Sequence, residues 1–132
     1  MSKIQIQKPK QNNGDYAYIL EDLYCTTSEL PTGIIQYTAW ANKWDVPVGL
    51  VWVKFRTNHE EEKVAEILHC YTIEWARRYG VCKFVFNSIL KSSDVDLLIT
   101  QNGSDTGGQA VIQAFGFQYN KDVGLWYFRL IK

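Results

Sequence analysis

The chain has 132 residues, enough for one ordinary domain around one core, and its 46% apolar and 21% charged content is that of a soluble globular protein. The formal net charge is zero, so no global field draws the protein to nucleic acid or to an anionic membrane, and any basic ligand site has to be local. Three cysteines, Cys25, Cys70 and Cys82, form no CxxC pair and leave an odd count, which fits thiols in a reducing compartment. MSKIQIQKPK at the start lacks the apolar run of a signal peptide, and the longest unbroken apolar stretch, GLVWV, is far short of a membrane span. The expectation is a cytoplasmic protein with a single domain over residues 1–132.

In chain order, KIQIQK at 3–8 alternates like a short strand. Asp15 is placed to cap a helix over 16–28, in which Tyr16, Ile19, Leu20, Leu23 and Tyr24 form one stripe, with Pro31 to Gly33 as its exit. IIQYTAWA at 34–41 and VGLVWVKFR at 48–56 read as an antiparallel hairpin. Its indoles, Trp40, Trp44 and Trp52, suit either an acceptor cleft or a homodimer contact. The polar TNHEEE at 57–62 is a turn whose glutamates read as solvated surface.

Residues 60–83 admit two readings. One is a long helix to 79, on the spacing of Val64, Ile67, Leu68, Tyr71 and Trp75. The other is a strand over 64–73, with Ile67, His69, Tyr71 and Ile73 on one face and Glu66, Leu68, Cys70 and Thr72 on the other. A loop over 74–80 and a helix over 81–91 then follow. The remaining chain favours the second. VDLLIT at 95–100 makes a buried strand, NGSDTGG a turn, QAVIQAF a short helix ended by Gly116, and GLWYFRLI a closing strand. The order becomes β-α-β-β-β-α-β-α-β with no long unexplained loop.

In that reading Arg77, Arg78, Tyr79, Gly80, Val81, Cys82 and Lys83 join a strand to the start of a helix. Unpaired amides and the positive end of the helix dipole there suit a diphosphate without a metal. The spacing Arg77-x-x-Gly80-x-Cys82 resembles the Gln/Arg-x-x-Gly-x-Gly/Ala loop of the GNAT-type N-acetyltransferase superfamily. VPVGLVWVKF, AEILHCYTIE, VDLLITQNGS and QAFGFQY with LWYF resemble, in order, that family's later strands and helices across residues 46–130. The resemblance implies an α+β, GNAT-like (acyl-CoA N-acyltransferase) fold: a mixed, mostly antiparallel central sheet flanked by helices. It implies transfer of an acetyl group from acetyl-CoA to an amine acceptor, a small molecule or a protein, by direct attack in a ternary complex, with no metal.

Residue by residue, the 77–83 loop would hold pyrophosphate, Thr72 and Ile73 would pair with pantetheine, and Asn102 and Ser104 would meet the thiol arm. Glu66 stands eleven residues before Arg77, where one branch of the family carries its general base. Two positions depart from the pattern. Cys82 replaces Gly or Ala, and Ile112 replaces the tyrosine that protonates the leaving thiolate, with Tyr119 and Tyr127 as alternatives. These departures keep a second reading open: a non-catalytic GNAT-like binding module with lost or altered coenzyme binding. Neither histidine has a motif partner, and GSDTGG lacks the Lys-Ser/Thr of a P-loop.

Overall fold

A computed structural model describes residues 20–92, 94–101 and 106–130. Seven strands lie in one sheet: β1 (Leu23–Glu29), β2 (Ile35–Ala41), β3 (Val46–Thr57), β4 (Lys63–Thr72), β5 (Leu97–Thr100), β6 (Gln118–Asn120) and β7 (Leu125–Arg129). Two helices, α1 (Val81–Ser92) and α2 (Thr106–Phe115), follow β4 and β5. The spatial order is β1-β2-β3-β4-β5-β7-β6. All neighbours are antiparallel except β4 and β5, so the sheet is mixed and mostly antiparallel.

Where β-branched and aromatic residues alternate, the chain forms strands. Tyr37, Ala39, Val51, Val53, Ala65, Ile67 and Leu98 point to one face and are buried there. Helix α1 covers that face with Val81, Val85, Phe86 and Ile89, an apolar stripe at i, i+4, i+5 and i+8. Phe86, Phe115, Phe117 and Phe128 close the core by edge and tilted contacts at 4.9 to 6.0 Å. Phe117 of the GFQY stretch is therefore a packing residue.

The long-helix reading of 60–79 is excluded, since Lys63–Thr72 is a strand and Val81 begins a helix. The helix expected over 16–28 is corrected. Leu23–Glu29 is a strand that pairs with β2 over seven rungs, from Leu23 opposite Ala41 to Glu29 opposite Ile35. A short turn at Pro31–Gly33 joins the two strands. Leu23 and Cys25 pack on the core. Tyr24 stacks on Trp40 on the other face, and Trp40 Nε1 donates to Thr26 Oγ1 at 2.8 Å. Cross-strand pairs of this kind override the helical spacing of Leu20, Leu23 and Tyr24. The strand expected at 3–8 lies outside the described residues.

Candidate functional site

Strand β4 changes its facing partway along. Trp52 on β3 is opposite His69, but the next residue, Val53, is opposite Ile67, so Leu68 is the extra residue of a β-bulge. Ala65 and Ile67 before it, and Cys70 and Thr72 beyond it, share the α1 face. Glu66, His69 and Tyr71 share the opposite face, where His69 packs against Trp52 at 5.3 Å. The strict alternation that groups Ile67 with His69, and Glu66 with Cys70 and Thr72, is therefore corrected by one bulge.

The bulge coincides with the end of the β4–β5 ladder. β5 pairs with β4 along its whole length, from Val64 opposite Leu97 to Ile67 opposite Thr100, and ends there. β4 continues to Thr72 paired with β3, and among the described residues its other edge has no strand partner there, which leaves a gap in the sheet beside the start of α1. Ile73 N–H donates to Val48 O at 2.9 Å, toward β3, so by strand alternation the Thr72 carbonyl points away from β3 into the gap. Glu66 sits on the rung before the last, opposite Ile99 on β5 and Lys54 on β3, with Arg56 Nε 3.7 Å from its carboxylate.

Between β4 and α1 the chain makes a short 3₁₀ turn at Glu74–Ala76, then doubles back through two left-handed residues, Arg78 (φ 71) and Gly80 (φ 80). Arg78 bears the cost that a side chain meets in that region, whereas Gly80 avoids it. Phe84 N–H reaches Gly80 O at 2.9 Å, so the helix is wound from Gly80 onward. The amides of its first turn, including Val81, Cys82 and Lys83, have no acceptor within the helix. Arg78, Gly80 and Lys83 are exposed around them, and Tyr79 packs against the core. Arg77 is turned the other way. Its Nε donates to the Thr72 carbonyl at 3.0 Å, and its guanidinium lies 5.8 Å from the centre of the Tyr71 ring.

Gly49 sets the distance between this turn and the sheet. A Cβ there would lie 2.8 Å from Val81 Cγ1 and 3.0 Å from Tyr71 O, so only glycine lets α1 come this close to β3 and β4. Cys82 consequently packs against β4, with its Sγ 2.7 Å from Cys70 Sγ and 3.2 Å from Thr72 Oγ1. The Cys82 side chain thus points down to the strand. Sequence reasoning missed this cysteine pair, because alternation without the bulge puts Cys70 on the other face.

Asn102 and Ser104 lie outside the described residues. Ile112 is buried in the core, 6% exposed. Of the two alternative tyrosines, Tyr119 packs on Trp126, a residue of the helix-covered face. Tyr127 is opposite Ile99, hence in one cross-strand row with Glu66, and its hydroxyl donates to Gln118 Oε1 at 2.9 Å. Beside that row, an open concavity of about 300 Å³ is lined by Leu97, Ile99, Leu125 and Tyr127 with Asn120 and Arg129 at its margin. Among the described residues, no three His, Cys, Asp or Glu side chains are grouped to hold a metal ion, and no helix is long and apolar enough to cross a membrane.

The described residues, a mostly antiparallel seven-stranded sheet with two helices, adopt the GNAT-type (acyl-CoA N-acyltransferase) fold. The similarity to solved structures is in fold at low identity. NAA60 of Arabidopsis thaliana matches as its acetyl-CoA complex, with 14% identity over 73% of this chain and 76% of that one and a TM-score of 0.57. A GNAT-family acetyltransferase of Staphylococcus aureus shares 15% over 78% and 72%, with a TM-score of 0.58. A Trypanosoma brucei acetyltransferase shares 13% over 84% and 98%, also with a TM-score of 0.58. No protein-family model and no curated protein matches the sequence.

Proposed function

We propose that this protein is a cytoplasmic acetyl-CoA-dependent N-acetyltransferase that transfers acetyl to an amine by direct attack in a ternary complex. The observation that carries the reading is that β4 continues past the end of β5 at Thr100, with its β5-side edge unpaired by any strand among the described residues, beside the first turn of α1. Such an edge offers backbone to an extended pantetheine arm, and the helix start offers amides to its pyrophosphate. Amides of the 77–83 loop hold the pyrophosphate, with Arg78 and Lys83 supplying charge. Thr72 and Ile73 flank the pantetheine, and Asn102 and Ser104 meet the thiol arm. Arg77 releases the Thr72 carbonyl when the coenzyme enters.

Glu66 lies about 20 Å of strand from Thr72, at the other end of the gap. It takes a proton from the acceptor amine, directly or through water, as the nitrogen attacks the thioester carbonyl. The C–S bond then breaks, and the departing thiolate needs a proton. Tyr127 is the phenol on Glu66's face, two strands or roughly 10 Å across. The adjoining concavity, of mixed polar and apolar lining, is the place for the acceptor. A direct assay follows coenzyme A release from acetyl-CoA over a panel of primary amines. Release with at least one amine, abolished in Glu66→Gln, supports the reading.

The second reading is coenzyme binding without turnover. It is favoured by Ile112, whose burial leaves no hydroxyl at the usual acid position. Turnover that survives Tyr127→Phe and Glu66→Gln alike points to other groups. Saturable binding with no amine acetylated favours the module.

A further inference from the structure

We propose that Cys70 and Cys82 form an oxidation-sensitive dithiol, closed by a peroxide to a disulfide that ties β4 to the first turn of α1. Three features bring the sulfurs together. The bulge at Leu68 turns Cys70 to the α1 face, Gly49 admits the helix, and the second residue of α1 points its side chain back at the strand. The two Sγ atoms stand 2.7 Å apart. Disulfides need a sulfur separation of about 2.05 Å with matched Cβ directions, so little movement separates the thiols from the bond. Both side chains are partly exposed, which gives a small oxidant access.

The pair is also chemically unequal. Cys82 is drawn down to about 7, because Cys70 hydrogen-bonds to its sulfur and the Thr72 hydroxyl adds to this, against burial, which raises it. The thiolate of Cys82 is thus favoured over that of an ordinary cysteine, on a helix turn whose dipole adds to this. Cys25 on β1 is a built-in reference. Burial pushes its thiol up, only partly offset by a hydrogen bond with Ser88.

The Cys82 thiolate attacks one peroxide oxygen; the O–O bond breaks, hydroxide leaves and is protonated to water, and Cys82 becomes a sulfenic acid. The Cys70 sulfur, losing its proton, then attacks the Cys82 sulfur, and a second water leaves as the S–S bond forms. Two thiols are oxidised by two electrons and one peroxide is reduced to two waters. The chain segment closed by the bond is short, since the cysteines are twelve positions apart. This chemistry stands whether or not the loop above it binds coenzyme.

The test is to treat the reduced full chain with stoichiometric hydrogen peroxide at neutral pH, alkylate the remaining thiols, and measure intact and peptide masses. The expected result is loss of two hydrogens, a Cys70–Cys82 linked peptide, alkylated Cys25, and full reversal by dithiothreitol. The midpoint of thermal unfolding should rise on closure and fall again on reduction. In Cys70→Ser, which keeps a hydrogen-bonding group, Cys82 should instead gain one oxygen under the same treatment and a second when a further equivalent of peroxide is added. Oxidation of Cys25 as fast as Cys82, or oxygen addition in the unaltered chain with no linked peptide, would overturn the proposal.

Discussion

Glu66 and Arg77 stand at opposite ends of the β4 edge that continues past β5, and their substitutions should separate turnover from binding. Glu66→Gln keeps the shape of the side chain and removes its basicity. Turnover should fall by about 10²- to 10⁴-fold, the usual worth of a positioned acid or base, with acetyl-CoA affinity unchanged. Equal turnover in the variant dismisses Glu66 as base. Arg77 donates to the Thr72 carbonyl, whereas no such bond holds Arg78, so the two arginines are not equivalent. Arg78→Ala should weaken acetyl-CoA binding by roughly tenfold or more, on the about 1.5 to 3 kcal/mol of a hydrogen bond to a charged group. Arg77→Ala should weaken it less, because that side chain must give up an existing bond to reach a phosphate. Calorimetric titration of both variants decides the order, and a larger loss in Arg77→Ala contradicts it. The residue types at this loop were legible, since arginines, a glycine and a helix start are local features. The direction of Arg77 was not, because it depends on a carbonyl five residues back and on the Tyr71 ring.

At the scale of elements, β2 to β5, β7 and both helices lie near their expected places because each has a run of β-branched or apolar residues with its own period, whereas the three-residue β6 was not expected. Two further features escaped that reasoning for definite physical causes. Leu23 and Tyr24 fit a helical stripe as well as a strand, and only the seven rungs with β2 decide between them. The bulge at Leu68 adds one residue without changing composition, so it reverses the faces of Cys70 and Thr72 invisibly. The close approach of Val81 to Gly49 was not legible either, because it brings together a strand and a helix some thirty residues apart. Gly49→Ala should destabilise the protein by about 1 to 3 kcal/mol in denaturant unfolding, as overpacking does. Since Val81 Cγ1 is the atom met first, adding Val81→Ala should cost less than the two single changes together. Strict additivity would show that the contact does not limit the approach of α1.

For the whole molecule, a chain of zero net charge confines any anion site to one turn of backbone and its nearby cations. The order of elements from β2 to α2 was legible, whereas β1 was read as a helix and β6 was not expected; the sheet grows largely by neighbouring strands, with one parallel crossover through α1. The end of the β4–β5 ladder at Thr100 was not legible, since no residue pattern announces where two strands stop pairing. The central claim is that the edge of β4 beyond that point and the start of α1 together hold acetyl-CoA. A thermal-unfolding titration of the reduced protein with acetyl-CoA tests it most directly. Saturable stabilisation reaching about 2.7 kcal/mol at 100-fold over the dissociation constant, diminished in Arg78→Ala, is the result predicted. An unfolding midpoint that stays fixed up to millimolar acetyl-CoA would contradict it.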